Sequence, residues 1–165
     1  MKTLEFDFVV VGGGAAGCVL AARLAQDTEA SVALIERGRR DRNPWIHIPA
    51  TFFKAIQSRD VEAQTSEPDP SLENRPFVVP QGRVLGGGTS VNGMIYMRGQ
   101  ARDYDDWVDA FGCEGWGYAD VLPVFKRQER NTRLGGDPYH GATGPLVVDD
   151  PSEKHPVTPR IIDAA

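Results

Sequence analysis

Residues 6–17 have the sequence Phe6-Asp7-Phe8-Val9-Val10-Val11-Gly12-Gly13-Gly14-Ala15-Ala16-Gly17. The β-branched and aromatic run predicts a strand over Phe6–Val11 that ends abruptly at Gly12. Apolar residues then recur at helical spacing, which predicts a helix over Ala15–Asp27, and Ser31–Glu36 is a second short apolar strand. Together these elements predict a βαβ unit with glycines at its first strand-to-helix turn.

The glycines of this turn predict a dinucleotide site. Gly12 permits the tight turn, Gly14 lets the backbone approach a pyrophosphate, and Gly17 lets the helix lie close to the strand. The helix N-terminus then offers unpaired N–H groups and a partial positive charge to the phosphates. Glu36 ends the second strand 24 residues after Gly12, close to the spacing of about 20 expected for an acid that binds ribose hydroxyls.

Three arginines follow this acid. Arg37, Arg39 and Arg40 resemble a site for the 2′-phosphate of NADP. However, the carboxylate of Glu36 at the strand end would repel that phosphate. We therefore interpret this segment as a solvated basic turn.

A second glycine-rich loop is Gly82-Arg83-Val84-Leu85-Gly86-Gly87-Gly88-Thr89-Ser90-Val91-Asn92-Gly93-Met94. Three consecutive glycines followed by Thr-Ser give exposed backbone N–H groups, no obstruction by Cβ atoms and two short hydroxyls. Such a surface suits a flat polar ring or an anion. Because two loops of this kind occur in one chain, we expect an extended dinucleotide, with FAD as the leading candidate.

Short elements joined by proline- and glycine-rich connections are predicted elsewhere. Pro44 and Pro49 break the segment Asp41–Pro49, which we expect to be irregular. Pro123 is expected in the first turn of its helix. Thr158-Pro159 is a helix-start signal close to the end of the sequence. The remaining predicted elements are helices over Thr51–Gln57, Ser90–Tyr96, Asp103–Phe111 and Ala119–Arg130, and strands over Glu62–Ser66 and Phe77–Val79.

Composition excludes several classes of protein. With 165 residues, 41% of them hydrophobic and 25% charged, the chain suits one ordinary soluble globular domain. A net charge of −5 argues against nucleic acid or an anionic membrane as the partner. Cys18 and Cys113 form no CxxC motif, which argues against a disulfide framework or a zinc site. A cytoplasmic location is therefore the default expectation.

Several stretches along the chain together form a recognisable pattern. They are, in order, Asp7–Gly17, Glu36, Gly82–Asn92, Tyr96–Gly99, Asp103–Trp107, Trp116–Pro123 and Gly144–Leu146. With these stretches the sequence resembles the glucose–methanol–choline (GMC) flavin oxidoreductase family along essentially its whole length. The resemblance implies an α/β fold class, with a Rossmann-like FAD-binding βαβ unit and an irregular segment that covers the flavin. It also implies an alcohol oxidase or dehydrogenase that passes a hydride from a primary alcohol to the flavin N5.

Site residues follow from the same resemblance. It implies that the backbone around Gly88–Asn92 lies against the isoalloxazine ring and that Asn92 hydrogen-bonds the cofactor. Members with covalent FAD have a His just before that Asn, whereas this chain has Val91, which implies non-covalent FAD. The expected cofactor-binding residues are Gly12, Gly14, Ala15, Ala16, Gly17, Glu36, Arg37, Arg83, Val84, Gly87, Gly88, Thr89, Val91, Asn92, Gly93 and Met94.

The sequence is expected to be only the N-terminal part of such an enzyme. It is divided into a dinucleotide unit (1–40), a flavin-contacting segment (41–100) and a helical extension (101–165). GMC proteins are longer and carry their catalytic His near the C-terminus. His47, His140 and His155 have no plausible orienting carboxylate beside them in the sequence, so no catalytic residue is assigned. We expect the chain alone to be inactive, to expose the apolar face of an unfinished sheet, and to need the remainder as a continuation or a second chain.

Three other functions stay open at this point. A lyase or a light-driven decarboxylase on the same scaffold would keep both glycine loops. An NAD-dependent dehydrogenase would keep the first loop but has no role for the second. A non-catalytic cofactor-binding subunit would work only with a partner chain.

Overall fold

The first glycine turn and its flanking elements form a βαβ unit in the computed structural model, which describes residues 3–151 and 155–165. Strand β1 spans Phe8–Val11, helix α1 spans Ala15–Asp27 and strand β2 spans Val32–Ile35. The two strands pair in parallel over their whole lengths, with Phe8 opposite Val32. The predicted unit is therefore confirmed, with strands one or two residues shorter at their ends than predicted.

This two-stranded sheet leaves much of its apolar surface exposed. Val10 is buried, but Val9, Val11 and Ile35 are exposed, Val11 to 80%. Parallel strands are ordinarily covered on both faces. The exposed apolar face that the sequence predicted is thus present in the described residues.

A short helix lies in the segment that was expected to be irregular. Helix α2 spans Pro44–His47. Pro44 occupies the first helical position, where its missing N–H group costs no hydrogen bond. The Asn43 side chain caps the helix by accepting a hydrogen bond from the Trp45 N–H at 3.1 Å. Pro44, which was expected to interrupt regular structure, therefore begins a helix instead.

The next elements lead from α2 to the second glycine loop. A 3-10 turn at Pro49–Thr51 precedes helix α3, which spans Phe52–Ile56. Strands β3 (Val61–Thr65) and β4 (Val78–Gly82) are antiparallel, and a 3-10 turn at Pro70–Leu72 lies in their connection. Helix α3 and strand β3 lie within one residue of their predicted bounds, whereas β4 continues three residues further than predicted.

The predicted helix over Ser90–Tyr96 is wrong. A 3-10 turn spans Gly87–Ser90, and no helix of the described residues begins again before residue 101. The Asn92 Oδ1 atom accepts a hydrogen bond from the Met94 N–H at 2.9 Å. Met94 also has a φ of 58°, in the left-handed region. This local turn competes with helical hydrogen bonding and stops the helix.

A small core fixes the second loop to the elements around it. Ala55, Val84 and Val91 are buried together, and Ile46 and Val61 pack against them. Two of the three buried residues belong to the loop itself. Apolar packing thus holds the loop against α3 and β3.

Contacts divide the chain into two units, one ending at Ile95 and one beginning at Tyr96. In the second unit, helix α4 spans Ala101–Phe111 and helix α5 spans Tyr118–Gln128. Because α5 begins at Tyr118, Pro123 lies in its second turn and not in the first turn as predicted.

The second unit also contains a strand pair that the sequence analysis did not predict. Strands β5 (Glu129–Asn131) and β6 (Leu146–Val148) pair in parallel. The predicted helix over Ala119–Arg130 therefore ends earlier, at Gln128, and segment 101–165 is not wholly helical. Helix α6 spans Val157–Ala164, so it begins one residue before the predicted start signal at Thr158.

Two features are absent from residues 3–151 and 155–165. No helix there is both long and apolar enough to cross a membrane. No group of three or more His, Cys, Asp or Glu side chains there could hold a metal ion.

Candidate cofactor site

The two glycine-rich loops meet in the first unit. The Gly86 N–H donates a hydrogen bond to the Gly13 carbonyl at 2.7 Å. A Cβ atom built on Gly87 would lie 2.7 Å from the Gly14 Cα, and Gly87 has a φ of +57°. Only glycine at position 87 allows this approach without strain. The structure thus brings together the two stretches that the sequence singled out.

The glycines of the first loop have different structural roles. A Cβ atom on Gly17 would lie 1.8 Å from the Gly12 carbonyl oxygen, so Gly17 permits close helix-to-strand packing as predicted. Gly12 has a φ of +98°, as its predicted tight turn requires. A Cβ atom on Gly14 would meet only the Gly87 Cα, at an ordinary 3.9 Å. Protein packing therefore does not require glycine at position 14, and the open space beside it suits a ligand.

The N-terminus of α1 lies beside this space. Among the described residues, no side chain caps it, and its first turn carries no acidic residue. Ala15 and Ala16 are exposed there. Unsatisfied N–H groups at a helix N-terminus attract phosphate. Ala15 and Ala16 therefore lie at the end of α1 that could hold a phosphate.

Glu36 is held against the first loop by backbone hydrogen bonds. Its Oε2 atom accepts from the Gly13 N–H at 2.6 Å, and its Oε1 atom accepts from the Gly38 N–H at 2.6 Å. The hydrogen bond from Gly38 chiefly lowers the pKa of Glu36; burial opposes the lowering, while Gly13 and the charge of Arg37 add to it. The carboxylate is therefore ionised at neutral pH, with lone pairs left to accept hydrogen bonds from ribose hydroxyls.

The second loop is braced from within. The Thr89 hydroxyl donates to the Gly86 carbonyl at 2.5 Å, and the Ser90 hydroxyl donates to the Leu85 carbonyl at 2.7 Å. Both hydroxyls therefore use their proton inside the loop instead of offering it to a ligand. By contrast, Gly88 is exposed, and a Cβ atom built on it would find nothing within 4 Å. The backbone, more than the hydroxyls, provides the open surface.

Four of the predicted cofactor-binding residues have side chains that the protein itself already uses, in part or in full. Val84 is 0% exposed and Val91 is 6% exposed, so their side chains belong to the core. Arg37 forms an exposed ion pair with Glu62. The Asn92 Oδ1 atom is used by Met94, which leaves the side-chain NH2 group of Asn92 as a donor for a ligand.

The remaining predicted positions lie at the rim of the second loop. Arg83 is exposed. Its carbonyl oxygen lies against Gly38, since a Cβ atom built on Gly38 would lie 2.2 Å from that oxygen. Gly93 and Met94 are exposed, and nothing lies within 4 Å of a Cβ atom built on Gly93. These residues therefore offer surface without obstructing the loop.

One histidine has a carboxylate partner that lies too far away in the sequence to be predicted from it. In the second unit, the His140 Nδ1 atom lies 2.9 Å from Oε1 of Glu129, so the expectation that no histidine adjoins a carboxylate is wrong for His140. Glu129 is 0% exposed and also accepts hydrogen bonds from Arg98, from Asn131 and from the Gly141 N–H. His140 is thus held in a cluster of side chains around the buried carboxylate of Glu129.

The ionisation of Glu129 follows from these contacts. Burial acts to raise its pKa, but the hydrogen bonds from His140, Asn131 and Gly141, together with the charge of Arg98, outweigh burial and lower the pKa. The carboxylate is therefore charged at neutral pH. Its position at the end of a predicted helix, in a run of charged and polar residues, gave no signal that it would be buried.

Comparisons with known proteins show the family of the chain. The family described as GMC oxidoreductase matches residues 6–165. The oxygen-dependent choline dehydrogenase of Brucella anthropi is 43% identical over 163 residues, which are 98% of this chain and 29% of that protein. The crystal structure of pyridoxine 4-oxidase from Mesorbium loti has a TM-score of 0.87 at 38% identity, over 97% of this chain and 31% of that one.

A further similar structure is that of an oxidoreductase described as FAD-dependent, from Chaetomium thermophilum. It has a TM-score of 0.80 at 30% identity, over 98% of this chain and 29% of that one. The chain described here spans 29% of the length of the curated relatives that it matches first.

Proposed function

Because the chain belongs to the GMC oxidoreductase family, we propose that it is the FAD-binding N-terminal portion of an enzyme that oxidises a primary alcohol. The observation that carries the proposal is the hydrogen bond between Gly86 and Gly13, which joins two unobstructed glycine loops beside an ionised Glu36. Choline and pyridoxine, named in two of the similar proteins, both bear primary hydroxyl groups. When bound, FAD would supply the acceptor for the hydride that leaves the alcohol carbon.

Each part of the site has a role in this proposal. The open backbone at Gly14 and the N-terminus of α1 hold the pyrophosphate, and Glu36 accepts hydrogen bonds from the adenosine ribose. The backbone of Gly86–Gly93 lies against the flavin, and Asn92 donates a hydrogen bond to it. This chain therefore binds and orients the cofactor.

The catalytic base is proposed to lie outside this sequence. His140 is engaged by Glu129, and neither His47 nor His155 has a side-chain carboxylate partner among the described residues. The remainder of the enzyme, as a continuation or a second chain, would take the alcohol proton and cover the exposed apolar residues of β1 and β2. We also propose a cytoplasmic location.

Reduction of the bound flavin by a primary alcohol tests the proposed alcohol oxidation.

Flavin attachment is expected to be non-covalent. Val91 stands where covalent members have a histidine, and its buried side chain has no nucleophilic atom. Acid precipitation of the purified protein should release all of the flavin into the supernatant. Flavin that stays in the pellet after washing would show that a covalent bond forms elsewhere.

Replacing Glu36 with alanine is expected to weaken FAD binding. The lost hydrogen bonds to a charged group correspond to about 1.5–3 kcal/mol, or roughly 10- to 150-fold in Kd. Titration of the apoprotein with FAD, followed by flavin fluorescence, measures the change. Glu62→Ala is the matched control, because Glu62 forms only an exposed ion pair with Arg37. Equal affinities for the Glu36→Ala and wild-type proteins would exclude ribose binding by this acid.

A further inference from the structure

An arginine-lined cavity lies in the first unit, beside the second glycine loop. The Leu85 N–H of that loop donates to the Arg39 carbonyl at 2.8 Å, and the Arg83 N–H donates to the Asp60 carbonyl at 2.7 Å. Its volume is about 730 Å³, and its walls come from two segments, residues 39–45 without Asp41 and residues 58–60. Four of the lining residues are Arg39, Arg40, Arg42 and Arg59. None of the cofactor-binding positions predicted above lines it. Because its lining residues differ from those positions, the interpretation of the cavity does not rest on the proposed function.

The four guanidinium groups of this cavity have no direct partner among the described residues, since none of them forms an ion pair or a side-chain hydrogen bond there. The one carboxylate of the walls, Asp60, is 3% exposed, and it accepts hydrogen bonds from the Asn43 side chain at 2.8 Å and the Ser58 hydroxyl at 3.4 Å. Four like charges thus line one cavity of a chain whose net charge is −5.

We propose that this cavity binds a small polyanion that carries phosphate or carboxylate groups. Planar guanidinium groups bind both kinds of oxyanion through paired hydrogen bonds. The volume lies within the range of about 300–1,000 Å³ that is typical of small-molecule sites. Half-exposed Trp45 adds an aromatic wall on which an apolar or ring portion of the ligand packs.

The site is tested on the purified full-length protein after its flavin absorbance has been recorded. Binding of inorganic pyrophosphate, and separately of citrate, is measured by calorimetry in the presence of excess FAD. The two probes distinguish a phosphate ligand from a carboxylate ligand. The flavin absorbance, recorded first, tests the proposed function independently of the anion titration.

The decisive variant is the double substitution Arg40→Gln with Arg59→Gln, which removes one charge from each wall segment. We expect it to weaken binding of the preferred probe at least tenfold. The matched control is Arg102→Gln with Arg133→Gln, which removes two exposed charges of the second unit and should leave binding unchanged. Equal losses in the two double variants, or no saturable binding of either probe to the wild type, would overturn the proposal.

A second measurement does not depend on the variants folding. Wild-type protein is treated with phenylglyoxal, which modifies arginine, with and without the bound probe. The extent of modification, mapped by mass spectrometry, should decrease at Arg40 and Arg59 when the probe is present. At Arg102 it should stay unchanged. Uniform modification at all three sites would contradict the assignment.

Discussion

Replacing Gly14 with valine is expected to abolish FAD binding while the βαβ unit stays folded. The backbone at Gly14 has a φ of −80°, which any residue adopts, and a Cβ atom there makes only an ordinary contact with Gly87. The added side chain would occupy the space through which the backbone approaches the pyrophosphate. FAD titration of the apoprotein measures binding, and circular dichroism measures the melting temperature.

Two companion variants make this result interpretable. Gly14→Ala adds one methyl group to a space that the cofactor fills, which costs about 1–3 kcal/mol, or roughly 5- to 150-fold in Kd. Gly17→Ala should instead lower the melting temperature, because its Cβ atom would lie 1.8 Å from the Gly12 carbonyl oxygen. Wild-type affinity in Gly14→Val would contradict the placement of the pyrophosphate.

Replacing Glu129 with glutamine is expected to lower the free energy of unfolding by about 3–5 kcal/mol, the cost of removing one partner of a buried ion pair. The Arg98 side chain is only 13% exposed and would keep its charge without the Glu129 carboxylate. Denaturant unfolding of the full-length protein measures the loss. The exposed pair of Arg102 and Asp106 provides the control Asp106→Asn, which should cost less than about 1 kcal/mol.

The same carboxylate gives a pH dependence with a definite sign. Its pKa is lowered in the folded protein, so its stabilising contribution is complete above the unfolded value of about 4.3. The contribution is lost as the pH falls through the lower folded value. The wild-type protein should therefore lose this part of its stability in acid, whereas Glu129→Gln should not. This role for Glu129 would be contradicted if the difference in free energy of unfolding between the two proteins were the same at every pH.

The part of the fold that the sequence predicted has strong local signals. A β-branched run that ends at Gly12 and apolar residues at helical spacing predict β1 and α1 without knowledge of distant contacts. The position of Glu36 beside the first loop, where it accepts a hydrogen bond from Gly13, was expected because its distance along the chain from Gly12 is characteristic. The meeting of Gly14 and Gly87 could be inferred only from the idea that one long ligand needs both loops.

The features that the sequence did not predict depend on contacts between distant residues. Glu129-Arg130-Asn131 has no strand-like pattern, yet it forms β5, and its first side chain is buried by Arg98 and His140. A helix was also predicted wrongly after Ser90, where the Met94 N–H donates a hydrogen bond to the Asn92 side chain and Met94 adopts a positive φ. Such tertiary and turn contacts override local preference.

Anaerobic addition of a primary alcohol to the purified full-length protein tests the proposed activity most directly. The protein should be yellow, and one or more alcohols of a panel that includes choline and pyridoxine should bleach its flavin in a single turnover. A tertiary alcohol, which has no hydrogen on its carbinol carbon, should leave the flavin oxidised. A colourless protein, or bound flavin that no primary alcohol reduces, would contradict the assignment of this chain as the FAD-binding part of an alcohol-oxidising enzyme.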